Sequence, residues 1–325
     1  MKERLDQLLT YALQSHTSDI HFLLDHQQLS IQFRTSSGLK KIHQDIWSPA
    51  FFEYLKFISG FDLTNPNVPQ SGQFAWNDIF CRFSVIYNQS IQTGVLRLLS
   101  TKADLKIEEL TYDSKSISFL KSLCYKRQGL VLMAGPTNSG KTTTIHALLH
   151  EMAHTSHFKI VSLEDPIEIE DDSYLQLQIN PEQGFTYEKG ITELMRHDPD
   201  VLFLGETRNA FCAKSLINAA LSGHMVVTTI HAGNGIETIQ RLLDFGISLQ
   251  DLKSTLIAVV SQRLYQGKNG KKVCVYEILE SKDLVYALQT FQYPKSMLTL
   301  SDKILEGIKQ GYIQDLQAKF DICYF

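Results

Sequence analysis

The residues Gly135-Pro136-Thr137-Asn138-Ser139-Gly140-Lys141-Thr142-Thr143 satisfy G-x-x-x-x-G-K-[ST] directly after the apolar run Leu130 to Ala134. These residue types at this spacing hold phosphate. Two glycines let the backbone curl until successive N–H groups face inward, and the start of the following helix adds its positive end. Lys141 would reach the β- and γ-phosphates and Thr142 would offer its hydroxyl to Mg2+. The helix-forming run Thr143 to Leu149 supplies context that a chance glycine-rich turn lacks. ATP and Mg2+ are therefore the expected cofactors, with residues 135–143 as the binding loop.

Phosphoryl transfer to water also needs an oriented water and positive charge to meet the negative charge that develops. Four apolar runs read as parallel strands: Leu130 to Ala134, Lys159 to Leu163, Val201 to Leu204 and Met225 to Ile230. Each ends in chemistry. The phosphate loop follows the first, Glu164-Asp165-Pro166 the second, Gly205-Glu206 the third and His231 the fourth. In open α/β sheets ligands sit outside the carboxyl ends of strands, so these groups should converge. Glu206 is expected to orient or deprotonate the water, its alternative being a helix-capping acid. Glu164 is expected beside the metal or water, although one of Glu164 and Asp165 could instead cap the turn that Pro166 enforces. The expected metal set is Thr142, Glu164 and Glu206, partly through water.

His231 is the candidate to sense phosphate. His224 lies seven positions earlier, which along one strand is roughly 23 Å and the opposite face, so the two cannot share a phosphate. An interface or relay role is open for it. Arg82 and Arg97 are equidistant from a hairpin centre near Gln89 and Ser90, if the strands Phe80 to Tyr87 and Val95 to Leu99 pair. Like charges opposite each other on a sheet are destabilising unless an anion lies between or beyond them. They are expected to supply guanidinium charge to a nucleotide across a domain or subunit boundary, the alternative being two solvated surface arginines.

The elements that must position these groups fall into two patterns. An opening helix through Leu5, Leu8, Leu9, Ala12 and Leu13 should end near Ser15, followed by strands Asp19 to Leu23 and Leu29 to Arg34, and a helix Pro49 to Ile58. After the turn-rich stretch around Pro66 and Pro69 come the two arginine-bearing strands. Residues 1–100 thus read as a small α+β domain, 101–108 as a polar linker, and 109–325 as an α/β domain in which strands alternate with helices. Ile304, Ile308, Tyr312 and Leu316 recur at helical spacing near the end, fitting a helix that packs on its own domain or docks elsewhere.

Composition narrows the rest. A chain of 325 residues with formal net charge -4 supports about two cores and argues against direct nucleic-acid binding. Cys81, Cys124, Cys212, Cys274 and Cys323 are scattered with no C-x-x-C pair, which suggests reduced thiols rather than a disulfide framework or a zinc site. No apolar run approaches the ~18 residues of a membrane span, and no secretory leader is apparent. Membrane association is expected only through a partner.

Several motifs in order resemble the secretion and type IV pilus ATPases. Thr17-Ser18-Asp19-Ile20-His21 resembles that family's A-S-D-I-H element, and Pro69-Gln70-Ser71-Gly72-Gln73-Phe74 its P-Q-x-G-x-F segment. Arg82 and Arg97 look like its paired arginines, and Leu163-Glu164-Asp165-Pro166-Ile167-Glu168 is similar to its Asp box. Met195 to Asp200 leading to Gly205-Glu206-Thr207-Arg208 resembles its Walker B region, with Gly in place of the strand-end Asp. Ala220 to His231 resembles the His box and Ser261-Gln262-Arg263-Leu264 the Q-R-L element. Asn209 stands where the family usually has Asp, and the tetracysteine zinc element and extra N-terminal domain of many relatives are missing.

The resemblance implies a PAS-like N-terminal domain, a RecA-like P-loop ATPase domain and a homohexamer in the cytoplasm. ATP would sit between the two domains, and its hydrolysis would drive an inner-membrane platform protein that adds or extracts pilins. The compact form is similar to retraction motors and to the competence motor of Gram-positive DNA uptake, and the competence pilus assembly motor is the expected activity. Two further readings stand beside it, a non-hydrolysing nucleotide-dependent regulatory module and a small-molecule kinase. For the kinase neither an acceptor pocket nor a lid is apparent.

Overall fold

Leu5, Leu8, Leu9 and Ala12 are buried on one face of the opening helix, Lys2–Gln14. The second helix, Pro49–Ile58, starts with Pro at a position where the missing N–H costs nothing, and it buries Phe51, Phe52 and Leu55. The computed structural model describes the chain except residues 16, 36–37, 43–46, 66–67, 78, 89–90, 101–105, 316 and 323–325. Part of the expected linker, the expected hairpin centre, Leu316 and Cys323 therefore lie outside the described residues. The chain divides into two units, Met1–Lys102 and Ala103–Phe325.

In the first unit the strands are β1 (Asp19–Asp25), β2 (Gln28–Thr35), β3 (Gly38–Ile42), β4 (Gln70–Trp76), β5 (Ile79–Asn88) and β6 (Ile91–Ser100). They form one antiparallel sheet in the order β3-β2-β1-β6-β5-β4. Neither β3 nor β4 is expected from the sequence. Ile20, Phe22, Phe33, Phe83 and Leu96 point to the two helices and form the core. The neighbouring register row runs Arg34, Asp19, Arg97, Arg82, Gln73 across five strands. Partners in register share a face, so this polar row lies on the side away from the core.

In the second unit the strands are β7 (Gly129–Ala134), β8 (Ile160–Glu164), β9 (Leu175–Gln178), β10 (Val201–Leu204), β11 (Met225–Ile230), β12 (Leu256–Gln266) and β13 (Lys272–Glu280). The order is β13-β12-β7-β11-β10-β8-β9, parallel except for β13. The sequence reading finds four of these seven and misses β9, β12 and β13. Leu130, Leu132 and Ala134 of β7 pack with helices Ala210–Leu221, Gly235–Asp244 and Ser281–Thr290 on one face. Val131 and Met133 pack with helices Ser114–Leu123 and Lys141–Ser156 on the other. Each such Leu, Val or Met contributes about 1.5–3 kcal/mol by leaving water, which is why β7 anchors the sheet.

Near the end of the chain, the helix Leu300–Lys309 stops before Tyr312, at Gly311 with φ 74°. This corrects the expectation of one helix carrying Tyr312 on its apolar face. Ile304 is buried with Tyr265, Val273 and Val275 of its own unit, whereas Tyr312 stacks on Tyr112 at 4.6 Å.

Candidate nucleotide site

Between β7 and the helix Lys141–Ser156 the chain passes through Gly135 (φ 153°), Asn138 (φ 64°) and Gly140 (φ 86°). A Cβ on Gly135 would lie 2.6 Å from both the Gln262 carbonyl oxygen and Ser139 Oγ. One on Gly140 would lie 2.9 Å from Gln262 Nε2. Both positions need glycine for conformation and for space. The helix has no side-chain cap, so its first N–H groups remain available to a ligand oxygen. Ser139 Oγ is buried without a partner. Such a cradle, with an unpartnered hydroxyl in it, fits a polyphosphate.

Lys141 is buried and its Nζ donates to the carbonyls of Gly135 and Pro136, each at 2.8 Å. Burial pushes its pKa down to about 8, against the pull of Glu206 and Glu168. A triphosphate beside it would raise that value again. Binding should therefore take up a proton at pH about 8.5, where Lys141 is largely neutral beforehand, and none at acidic pH, where it is already charged. Calorimetric titration with a non-hydrolysable ATP analogue, in buffers of different ionisation enthalpy, checks this. A heat independent of buffer at the higher pH would refute it.

Gln262 is the site residue that the sequence reading leaves without a role. It is fully buried on β12, and its Nε2 donates to the Ser139 carbonyl at 2.8 Å. β12 pairs with β7, Ser261 beside Ala134, which brings Gln262 under the loop. Next to it Arg263 donates to the Gly233 carbonyl at 2.9 Å. Gln262→Leu removes the loop's brace and should weaken ATP-analogue binding about ten-fold, the cost of one buried group left unpaired. Equilibrium binding of a fluorescent analogue measures it, and unchanged affinity would deny the brace any part.

At the end of β10, Glu206 accepts from Arg208 Nε at 2.8 Å, and its other oxygen is 3.3 Å from His231 Nε2. Arg208 also donates to Asp165 Oδ2 at 2.9 Å and lies over the Tyr187 ring. Burial works against the Arg208 charge, but the bonds to Glu206 and Asp165 outweigh it and raise its pKa. The turn after β10 is fixed by backbone bonds: Gly205 N–H to the Leu163 carbonyl, and Thr207 N–H to the Thr229 carbonyl. The helix Ala210–Leu221 is capped by Asn209, whose side chain accepts from Cys212 N–H at 2.9 Å. Capping is thus not the work of Glu206, and Asn in place of Asp at 209 keeps the cap.

Glu164 is 2 % exposed. Its Oε1 accepts from Ser162 Oγ at 2.6 Å and Gln176 Nε2 at 3.1 Å. His231 follows β11 directly, while His224 precedes it, with Nδ1 3.0 Å from the Ala219 carbonyl oxygen. The unbroken strand between them keeps the histidines apart. Thr142, Glu164 and Glu206 offer only oxygen, the donor type suited to Mg2+. Glu164 and Glu206 already accept from strong donors, so their chemistry suits contact with such an ion through water.

Arg82 and Arg97 belong to the first unit and pair in register. Arg97 has its own anion in Asp19, directly opposite on β1, which accepts from Arg97 Nε at 2.8 Å. Burial would raise the Asp19 pKa, but bonds from Arg97 and Ser18 hold it below the usual value. Arg82 is exposed, with no ion pair or hydrogen bond to its guanidinium among the described residues.

A profile of the type II/IV secretion system protein family matches residues 1–292. The chain belongs to that family. Competence protein ComGA of Halalkalibacterium halodurans is 31% identical, covering 96% of this chain and 96% of its own. ComGA of Bacillus subtilis is also 31% identical, covering 94% and 93%. Among solved structures, the pilus retraction motor PilT with bound ADP is 25% identical with a TM-score of 0.74, covering 97% of this chain and 96% of that one. The ATPase DotB of Legionella pneumophila shares the fold, with a TM-score of 0.79 at 21% identity over 99% of this chain and 95% of that one. In this secretion family's terms, the fold is a RecA-like P-loop ATPase domain with a smaller PAS-like α+β domain before it. No helix among the described residues is long and apolar enough to cross a membrane.

Proposed function

We propose that this member of the secretion family is an ATP-hydrolysing hexameric motor that powers assembly of a competence pilus for DNA uptake. It works at the inner face of the cell membrane through a platform protein of the pilus machine. The observation that supports hydrolysis is the Glu206 carboxylate, tied to His231 and Arg208 two strands from a braced phosphate loop. In this reading residues 135–143 bind the triphosphate, Lys141 neutralises it, and Glu206 orients the attacking water. His231 meets the γ-phosphate, and Arg82 and Arg97 bring guanidinium charge across a domain or subunit boundary. Thr142, with Glu164 and Glu206 through water, would hold Mg2+, which when bound would neutralise charge on the phosphates.

The likeness to PilT favours retraction as the second reading. Steady ATP hydrolysis by the purified hexamer, lost in Lys141→Ala, tests the enzyme, and tightly bound nucleotide without turnover would turn it into a regulatory module. Deleting the gene tests direction. An assembly motor leaves cells without pili and without transformation, whereas a retraction motor leaves them with pili that accumulate.

A further inference from the structure

His146 is wholly buried, one helical turn past Thr142 on the helix that leaves the phosphate loop. Residues four apart share a helix face, so one face carries the Thr142 hydroxyl and the imidazole together. Both ring nitrogens are engaged. Nε2 lies 3.3 Å from Glu164 Oε2, Nδ1 is hydrogen-bonded to the Tyr174 hydroxyl, and the Phe203 ring closes the site edge-on at 5.8 Å.

The donors and acceptors can be assigned by elimination. An ionised carboxylate only accepts, so Nε2 carries the hydrogen that faces Glu164. A neutral ring then has a bare Nδ1, which only accepts, so the Tyr174 hydroxyl donates to it. Burial, reinforced by the charge of Glu164, raises the Tyr174 pKa and keeps that proton on the phenol. With Ser162 and Gln176 donating to Oε1, both carboxylate oxygens are fixed. The fixing groups come from the loop's own helix, from β8 and from β9. A buried imidazole costs desolvation that leucine would avoid, so what His146 adds is its bonds, not its volume.

We propose that His146, oriented by Tyr174, is a positioning residue for hydrolysis, whose Nε2–H donates to Glu164 and fixes that carboxylate relative to Thr142. The inference rests on the ATPase reading of this site. It couples the helix of the phosphate loop to the strand end that bears Glu164, so the two cannot shift independently.

Two kinds of measurement test it. The long-range 15N–1H spectrum of the histidine-labelled whole chain, with His146→Gln used to assign the signal, should show a protonated Nε2 and a bare Nδ1. The opposite tautomer, with Nε2 bare toward Glu164, would overturn the proposal. In kinetics, His146→Leu should lower kcat about 10- to 100-fold, the usual cost of losing a partner behind a metal-site carboxylate. KM for ATP should stay near the native value, and the tightening of ATP-analogue binding by Mg2+ should shrink. His146→Gln, whose amide can donate to Glu164, should recover most of both losses, and Tyr174→Phe should fall between. Native turnover in His146→Leu, or a glutamine variant no better than leucine, would sink the idea. If His146→Leu does not fold, His146→Gln, Tyr174→Phe and the tautomer decide. A native protein that fails to hydrolyse ATP would refute the ATPase reading, while the tautomer and the Mg2+-dependence of binding would still test how Glu164 is held.

Discussion

Glu206→Gln should bind ATP as the native protein does and hydrolyse it about 100- to 10,000-fold more slowly, the range set by a positioned acid or base. The substitution keeps size and an oxygen that can accept from Arg208, but removes the charge that faces Arg208 and His231. Little stability should be lost. The turn that carries residue 206 is held by backbone bonds from Gly205 and Thr207, which the side chain does not make. The helix beyond is capped by Asn209. Ion pairs at partly exposed positions are worth about 0–1 kcal/mol, so the melting temperature should barely move. Turnover under saturating ATP, set against affinity for a fluorescent analogue, separates the outcomes. Unchanged turnover would remove Glu206 from the chemistry, and lost binding would move its role to the ground state.

Arg82→Ala should cost more still, about 1,000-fold or beyond in turnover, the contribution typical of an arginine that meets transferred phosphate. It should do so with no loss of fold, because Arg82 is exposed and its guanidinium holds no described residue. Arg97→Ala should behave differently although the two residues pair in one register row. It strands Asp19, which is 3% exposed, and a buried group without its partner costs about 1–3 kcal/mol. The stability that Asp19 gives is present above its unfolded pKa and fades as pH falls through its lowered folded value. Arg97→Ala should lose this acid-side dependence and Arg82→Ala should keep it. Mixing Arg82→Ala with Glu206→Gln protein gives a further reading. Recovered activity in the mixture means that the arginine serves a neighbouring subunit's nucleotide, and no recovery confines it to its own chain.

Legibility in the sequence followed burial and local signals. Strands β7, β8, β10 and β11 are buried on both faces, so each reads as a mainly apolar run, interrupted only by Ser162 in β8 and by Thr228 and Thr229 in β11 before the strand ends. The helix Pro49–Ile58 announces itself by Pro at its start and an apolar stripe. β4 does not, because its residues alternate between half-buried and exposed at a sheet edge and none is buried. β12 hides for another reason. Leu256 is at once the cap of the preceding helix and the first strand residue, so no turn residue marks the change. Helical spacing misleads at Tyr312, where Gly311 ends the pattern by turning left-handed. In the site, residues that follow a strand end could be found from position alone. Gln262 braces a carbonyl 123 residues away, and His146 looks like part of an ordinary helix face until Glu164 and Tyr174 are seen around it. Spacing carries no record of contacts that only the tertiary fold creates.

The place of β12 beside β7 also bears on synthesis. A nascent chain that has emerged from the ribosome only as far as residue 255 contains the loop, Glu164, Glu206 and His231, yet its β7 still has one unpaired edge and the Ser139 carbonyl has no Gln262 to meet it. The brace under the phosphate loop can form only once β12, Leu256–Gln266, has been translated, long after the loop motif itself has left the ribosome.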